Sequence, residues 1–255
     1  MATALAKPRR PARLFRGRAG LEYDPAVAVA TLRAADAKLR RLIDRVGELR
    51  LARDLSRSVF GSLASAIVHQ QLTGHAAGTI LGRLDALAGP RRVLRPAHIV
   101  AASDEALRAV GLSGNKAKAL RDLAQKTVDG TVPTWGRLDR LDDDAIVERL
   151  TAVRGVGRWT VEMLLIFRLG RPDVLPVDDY GVRKGLRYID ALAELPTRNE
   201  LLERGERWRP YRSVASWYLW RAAELEMAER RTEPRAPRTR PAPARSRARA
   251  SRPKR

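Results

Sequence analysis

The chain has 255 residues, 44% of them apolar and only 5% aromatic, which is enough to bury a core and makes each of the five Trp informative. There is no cysteine, so a disulfide framework, a thiolate zinc site and a Cys-ligated iron–sulfur cluster are excluded. The formal net charge is +21, and no apolar run approaches the ~18 residues of a membrane span.

The charge is concentrated at the ends. Residues 1–20 carry one Lys and five Arg without an acid, and residues 232–255 carry eight Arg and one Lys against one Glu. The N-terminal stretch lacks the apolar centre of a secretory signal. The Pro/Ala/Arg tail has no hydrophobic period and is expected to be disordered. Arms of this kind suit a polyanion, because each phosphate they contact releases counterions; a solubilising tail is the plainer reading, and an anionic membrane surface the weaker one.

Between the arms the sequence reads as helix after helix. An Asp-Pro start opens residues 24–47, where apolar side chains recur at three- and four-residue spacing. Residues 54–72 repeat the pattern, with Val59, Leu63, Ala66 and Ile67 on one face. A third helix opens at Thr73 and ends at Gly89, and further segments follow at 103–112, 113–130, 142–153, 157–170, 178–189, 197–208 and 211–231. Ser, Thr or Asp stands at most starts and Gly at several ends, as capping requires. No segment alternates with period two, so the body is expected to be all-α with about ten helices. Residues 109–120 and 152–164 both place glycines between two helices, but only the second has the compact Gly155-Val156-Gly157 form.

Four stretches carry candidate chemistry, each with a plainer alternative. The Gly155–Gly157 turn is either an ordinary helix connection or a loop that aims the free N–H groups of the next helix at a phosphate. Asp178 and Asp179 open a helix, where one acid suffices as a cap; if Asp178 caps, Asp179 is left to stabilise a developing cation or activate a water. Gln70, Gln71 and Leu72 are either a solvated helix end or a loop whose amides touch bases while Leu72 fills the gap left by an extruded nucleotide. Trp208, Trp217 and Trp220, with Tyr211 and Tyr218, are either core or the wall of a pocket for a flat base. His69, His75 and His98 are not spaced as a metal site, and no Walker or dinucleotide-binding glycine pattern is present.

A glutamine-rich loop, a Gly-Val-Gly hairpin and a Pro-x-Asp-Asp about twenty residues on resemble the helix–hairpin–helix DNA glycosylase superfamily. Residues 154–186 and the stretch around Trp217 are similar to its alkyladenine branch, the 3-methyladenine DNA glycosylase II enzymes. The resemblance covers about residues 21–230 and implies a two-lobed helical domain with a cleft between the lobes and the hairpin at about 151–164. It implies Asp179 as catalytic carboxylate and Asp178 as its capping partner. Gly155, Gly157 and Thr160 would grip phosphate through backbone N–H groups, and Leu72 would wedge into the duplex beside Gln70 and Gln71. Trp159, Tyr180, Trp220 and Met163 would line the base pocket. The carbonyls of Thr151, Val153 and Val156 would hold a monovalent cation, with no other cofactor required. In bifunctional relatives a lysine stands where Trp159 stands here, so the resemblance implies base removal without strand cleavage. The implied partner is double-stranded DNA with damaged bases, alkylated purines first, in a monomeric, cytoplasmic, nucleoid-associated enzyme. The rivals are another damaged base, such as hypoxanthine or uracil, and a non-catalytic DNA-binding protein.

Overall fold

The computed structural model describes residues 20–54, 57–89 and 93–232. The expected basic arms fall outside the described residues, apart from Gly20 and the last turn of the final helix, which runs on to Thr232. Among the described residues there are helices and no strands, as expected of an all-α body.

Helix α1 (Pro25–Ala35) starts because the Asp24 carboxylate accepts the N–H groups of Ala26 and Val27, while Pro25 at the first helical position loses no bond. The sequence reads as one helix to residue 47, but the chain breaks at Asp36, which turns extended and caps a second helix, α2 (Ala37–Val46). Asp36 has reason to break the helix. It is buried and also accepts from the Trp208 indole N–H at 2.8 Å and from the Arg204 guanidinium. Burial alone would raise its carboxyl, but these bonds and the Leu39 N–H outweigh burial and bring it from 3.8 down to about 2. A depressed acid stabilises the fold fully above its unfolded value and loses that contribution as pH falls through the folded one. Thermal stability should therefore drop between about pH 4 and pH 2, and Asp36→Asn should melt lower at neutral pH and show less of that drop. A wild-type melting temperature flat across the window would contradict this account.

The middle of the chain forms α3 (Val59–His69), α4 (Gly74–Leu87), α5 (Pro96–Ala101), α6 (Asp104–Ala109), α7 (Gly114–Val128), α8 (Trp135–Leu138), α9 (Asp143–Thr151) and α10 (Arg158–Leu164). Ser58, Thr73, Ser103, Ser113 and Asp142 cap five of these helices through their side chains. After α10 the helix widens into a π turn over Leu165–Leu169, which Gly170 ends in a left-handed conformation (φ 68°). The chain closes with α11 (Tyr180–Asp190), α12 (Arg198–Gly205) and α13 (Arg212–Thr232).

Two groups of helices result. In one, α3 packs on α4 and α7, and α7 on α5 and α6; in the other, α1 and α2 from the start of the chain pack with α11 and α13 from its end. One apolar cluster runs through both. The segment between α10 and α11 is pinned at two points. Arg171 is fully buried and donates to Glu22 at 3.0 Å and to the Leu141 carbonyl at 3.0 Å. Val174 N–H donates to Ser213 Oγ and Ser213 N–H to the Pro172 carbonyl, tying the same segment to α13. This segment delivers residues 178 and 179 to the boundary between the two groups.

Candidate active site

The start of α11 places Asp179 with its side chain turned inward. Its Oδ1 accepts the Val182 N–H at 2.8 Å and the Trp220 indole N–H at 2.8 Å, and its Oδ2 accepts the Trp159 indole N–H at 2.7 Å. Three donors thus share a carboxylate with about four acceptor positions. The expected division of labour between the two acids is corrected here. Asp179 is itself the cap of α11, while Asp178 faces outward and pairs with Arg198 at 3.1 Å. The cap uses Oδ1, and Oδ2 has the Trp159 indole as its partner, so capping leaves the second oxygen uninvolved. Gly181 makes the arrangement possible, because a Cβ there would lie 2.8 Å from the Trp220 ring and 3.1 Å from Asp179 Oδ1.

The hairpin runs from Thr151, the last residue of α9, to Arg158, the first of α10. Gly155 adopts a φ of 76°, which side chains disfavour, and Gly157 caps α10 without a side chain, so the first N–H groups of that helix face outward uncovered by a capping group. Thr160 is buried one turn in. On the same helix Glu162 is buried and bonded to Arg158 at 3.0 Å. Burial pushes its carboxyl up, the Arg158 bond opposes this, and nearby Asp178 reinforces it.

Facing the hairpin is the end of α3. Gln70 closes that helix and Gln71 follows in a left-handed conformation (φ 57°), a strain that throws Leu72 outward to 38% exposure. Gln70 Nε2 donates to the Gly155 carbonyl at 2.8 Å, which ties this loop to the hairpin. Lys116 of α7 donates to the carbonyls of Val68 and Gln70 at 2.7 and 2.6 Å, covering the acceptors that the helix end leaves open. Lys126 and Asp122 do the same for the hairpin: Lys126 donates to the Ala152 carbonyl at 2.8 Å, and Asp122 accepts the Arg154 N–H at 2.7 Å.

Between α3 and α10 lies a cavity of about 540 Å³, within the usual range for a small-molecule site. Trp159, Met163 and Phe167 give it an apolar wall; Ser62, Ala66 and His69 lie opposite on α3.

A helical body, a glycine hairpin joined to a Gln loop, and a buried carboxylate under two indoles are the parts of a DNA repair site, and the description of the matching family model is "HhH-GPD superfamily base excision DNA repair protein", over residues 64–210. The chain belongs to the HhH-GPD superfamily. It is 37% identical over 195 residues to DNA-3-methyladenine glycosylase 1 of Schizosaccharomyces pombe, covering 76% of this chain and 86% of that one. The structure of the S. pombe enzyme in complex with abasic DNA superposes with a TM-score of 0.70 over 78% of this chain and 97% of that chain, at 37% identity. A DNA-3-methyladenine glycosidase from Bacillus halodurans superposes at 0.72, with 36% identity over 79% of this chain and 91% of that one.

Of the residues expected in the base pocket of this HhH-GPD protein, Trp159 and Met163 line the cavity. Trp159 is 48% exposed and serves two places, its ring on the cavity and its N–H on Asp179. Trp220 lies one layer back, stacked on Phe167 at 5.6 Å, and Tyr180 stands outside the cavity wall at 64% exposure. Trp208 and Trp217 are core. Sequence reasoning missed Phe167, Ser62 and His69. The signal was available in part: Ser62, Ser65, Ala66 and His69 recur at the three- and four-residue spacing of one helix face, beside the apolar one and sharing Ala66 with it.

Proposed function

We propose that the protein is a monofunctional DNA glycosylase that flips alkylated purines, of the 3-methyladenine and 7-methylguanine type, out of duplex DNA and hydrolyses their N-glycosidic bond. The observation that carries this reading is the Asp179 carboxylate, held by two indole N–H groups beside an aromatic cavity, with the glycine hairpin on the same helix as one of those indoles.

The hairpin N–H groups at Gly157 and beyond hold the backbone next to the lesion without reading sequence. A monovalent cation on the carbonyls of Thr151, Val153 and Val156 would add positive charge beneath that phosphate. Hard neutral oxygens suit such an ion, and the neighbouring Ala152 carbonyl already accepts the Lys126 ammonium. Leu72 enters the stack as the base leaves, and the base comes to rest against Trp159 and Phe167. Ring alkylation leaves these purines positively charged, so they stack well on aromatic faces and their glycosidic bond is already weakened. As the base departs, the sugar becomes oxocarbenium-like and the Asp179 carboxylate stabilises that charge in a site shielded from water. The Trp159 ring then separates base from sugar. Among the described residues the cavity wall contains no lysine, so no amine is offered for a Schiff base, and the product is an intact strand with an abasic site.

Duplex DNA methylated at purines, incubated with the protein, should release free alkylated bases detectable by chromatography. An oligonucleotide with one lesion should be nicked only after alkali, and borohydride should trap no covalent adduct. A trapped adduct would overturn the monofunctional reading, and absence of any released base would favour a non-catalytic DNA-binding protein. The arms have their own test. Deleting residues 233–255 should lower the slope of log affinity against log salt by about 0.9 for each phosphate that the tail neutralises, while single-turnover base release persists. An unchanged slope would remove the tail from DNA binding.

A further inference from the structure

We propose that the face of α3 carrying Ser62 and His69 is the polar edge of the base pocket, and that it selects purines by their exocyclic amino group. The inference rests on the glycosylase reading and adds to it what distinguishes one base from another.

Ser62 lies on the cavity wall, is only 4% exposed, and its Oγ has no hydrogen-bond partner among the described residues. A buried hydroxyl without a partner destabilises a fold by about 1–3 kcal/mol, and helical serines usually avoid this by bonding back to the carbonyl four residues earlier. A hydroxyl kept in this state at the floor of a cavity is poised for something that enters the cavity. His69 supplies the second group. Its Nδ1 lies 2.8 Å from the Ser65 carbonyl, which can only accept, so Nδ1 carries the hydrogen. In the neutral ring Nε2 is then an acceptor. His69 also lines the cavity, and its exposure places it toward the mouth.

Two other polar groups of the cavity wall are engaged elsewhere. Gln70 Nε2 holds the Gly155 carbonyl, and Arg168 pairs with Asp54 at 2.6 Å. Ala66 sits between Ser62 and His69 on the same face, and Trp159, Met163, Leu164 and Phe167 are opposite. A flat base clasped by that aromatic wall presents its edge to α3. There it meets the buried Ser62 hydroxyl, which donates or accepts, and the His69 acceptor, while the Ser65 hydroxyl between them lies 3.4 Å from His69 Nδ1. The edge that satisfies both carries N–H donors, as the exocyclic amines of adenine and guanine derivatives do. 1,N6-Ethenoadenine, whose etheno bridge spans N1 and N6, has no N–H left there.

The test compares single-turnover release from methylated duplex DNA, where methyladenine and methylguanine are resolved by chromatography, with release from oligonucleotides containing 1,N6-ethenoadenine. Ser62→Ala and His69→Phe should each lower release of the methylated bases about tenfold, the size of one lost hydrogen bond, and change release of ethenoadenine less than about twofold. His69→Gln, which restores an acceptor, should recover most of the loss. Ser62→Ala should melt no lower than the parent protein, since it removes an unsatisfied hydroxyl. Equal losses on all bases, no loss at all, or a lower melting temperature for Ser62→Ala would overturn the proposal. If the unsubstituted protein releases no alkylated base, the reading of the reaction fails first. If it does and the variants keep its selectivity, only the present inference falls.

Discussion

Asp179→Asn should lower single-turnover base release by about a thousandfold or more, the equivalent of ~4 kcal/mol in transition-state stabilisation, while duplex binding stays within a few-fold. Asparagine keeps the shape of the side chain and one oxygen, so it can still accept the Val182 N–H that starts α11 and the Trp220 N–H beside it. The position of Oδ2, which accepts the Trp159 N–H at 2.7 Å, becomes an amide donor facing another donor. Negative charge and the tether on Trp159 are therefore lost together, and the cap survives. Circular dichroism and melting temperature should show a folded protein; affinity for an abasic duplex should show a competent DNA surface. Base release within about tenfold of wild type would mean that another group carries the charge of the transition state.

Gly185→Ala should be the most damaging glycine-to-alanine change among the described glycines whose surroundings are resolved. A Cβ at Gly185 would stand 2.0 Å from the Leu219 carbonyl oxygen, a backbone atom that cannot rotate away. The two helices would have to separate, and α11 and α13 carry the Asp179 cap and Trp220 respectively. Overpacking against backbone costs about 3 kcal/mol or more, which lowers the melting temperature of a domain this size by about 6–12 °C. Base release should fall even at temperatures where the variant is folded, because the Trp220 to Asp179 bond spans the same interface. A melting temperature unchanged within about 2 °C would refute the close packing of these helices.

Much of the fold is legible in the sequence because local chemistry and global structure agree. Asp24, Thr73, Ser103, Ser113 and Thr197 stand where capping chemistry places them, and each has its hydrogen bond. The failure at Asp36 is of a different kind. Nothing local forbids a continuous helix there; the break is enforced by Arg204 and Trp208, which lie 168 and 172 residues further on. The site shows the same limit. Gly155 announces itself by a conformation only glycine adopts readily, and the acid pair by its place at a helix start. Which acid turns inward depends on Trp220 and Trp159 reaching it from two other helices, and spacing within residues 178–189 carries no trace of that. The role of Gln70 is hidden for a related reason: an amide at a helix end reads as solvent-facing until a carbonyl from residue 155 is brought to it.

The bond between Gln70 and Gly155 bears on how a duplex is inspected. Leu72 and the hairpin belong to different segments of the chain, yet Gln70 joins them directly, and Lys116 braces the end of α3 from behind. Together they behave as the fixed jaw of a caliper. On the function proposed above, a strand seated on the hairpin would meet Leu72 at one set depth and offset, whatever its sequence, so every nucleotide passing through would be measured against the same gap.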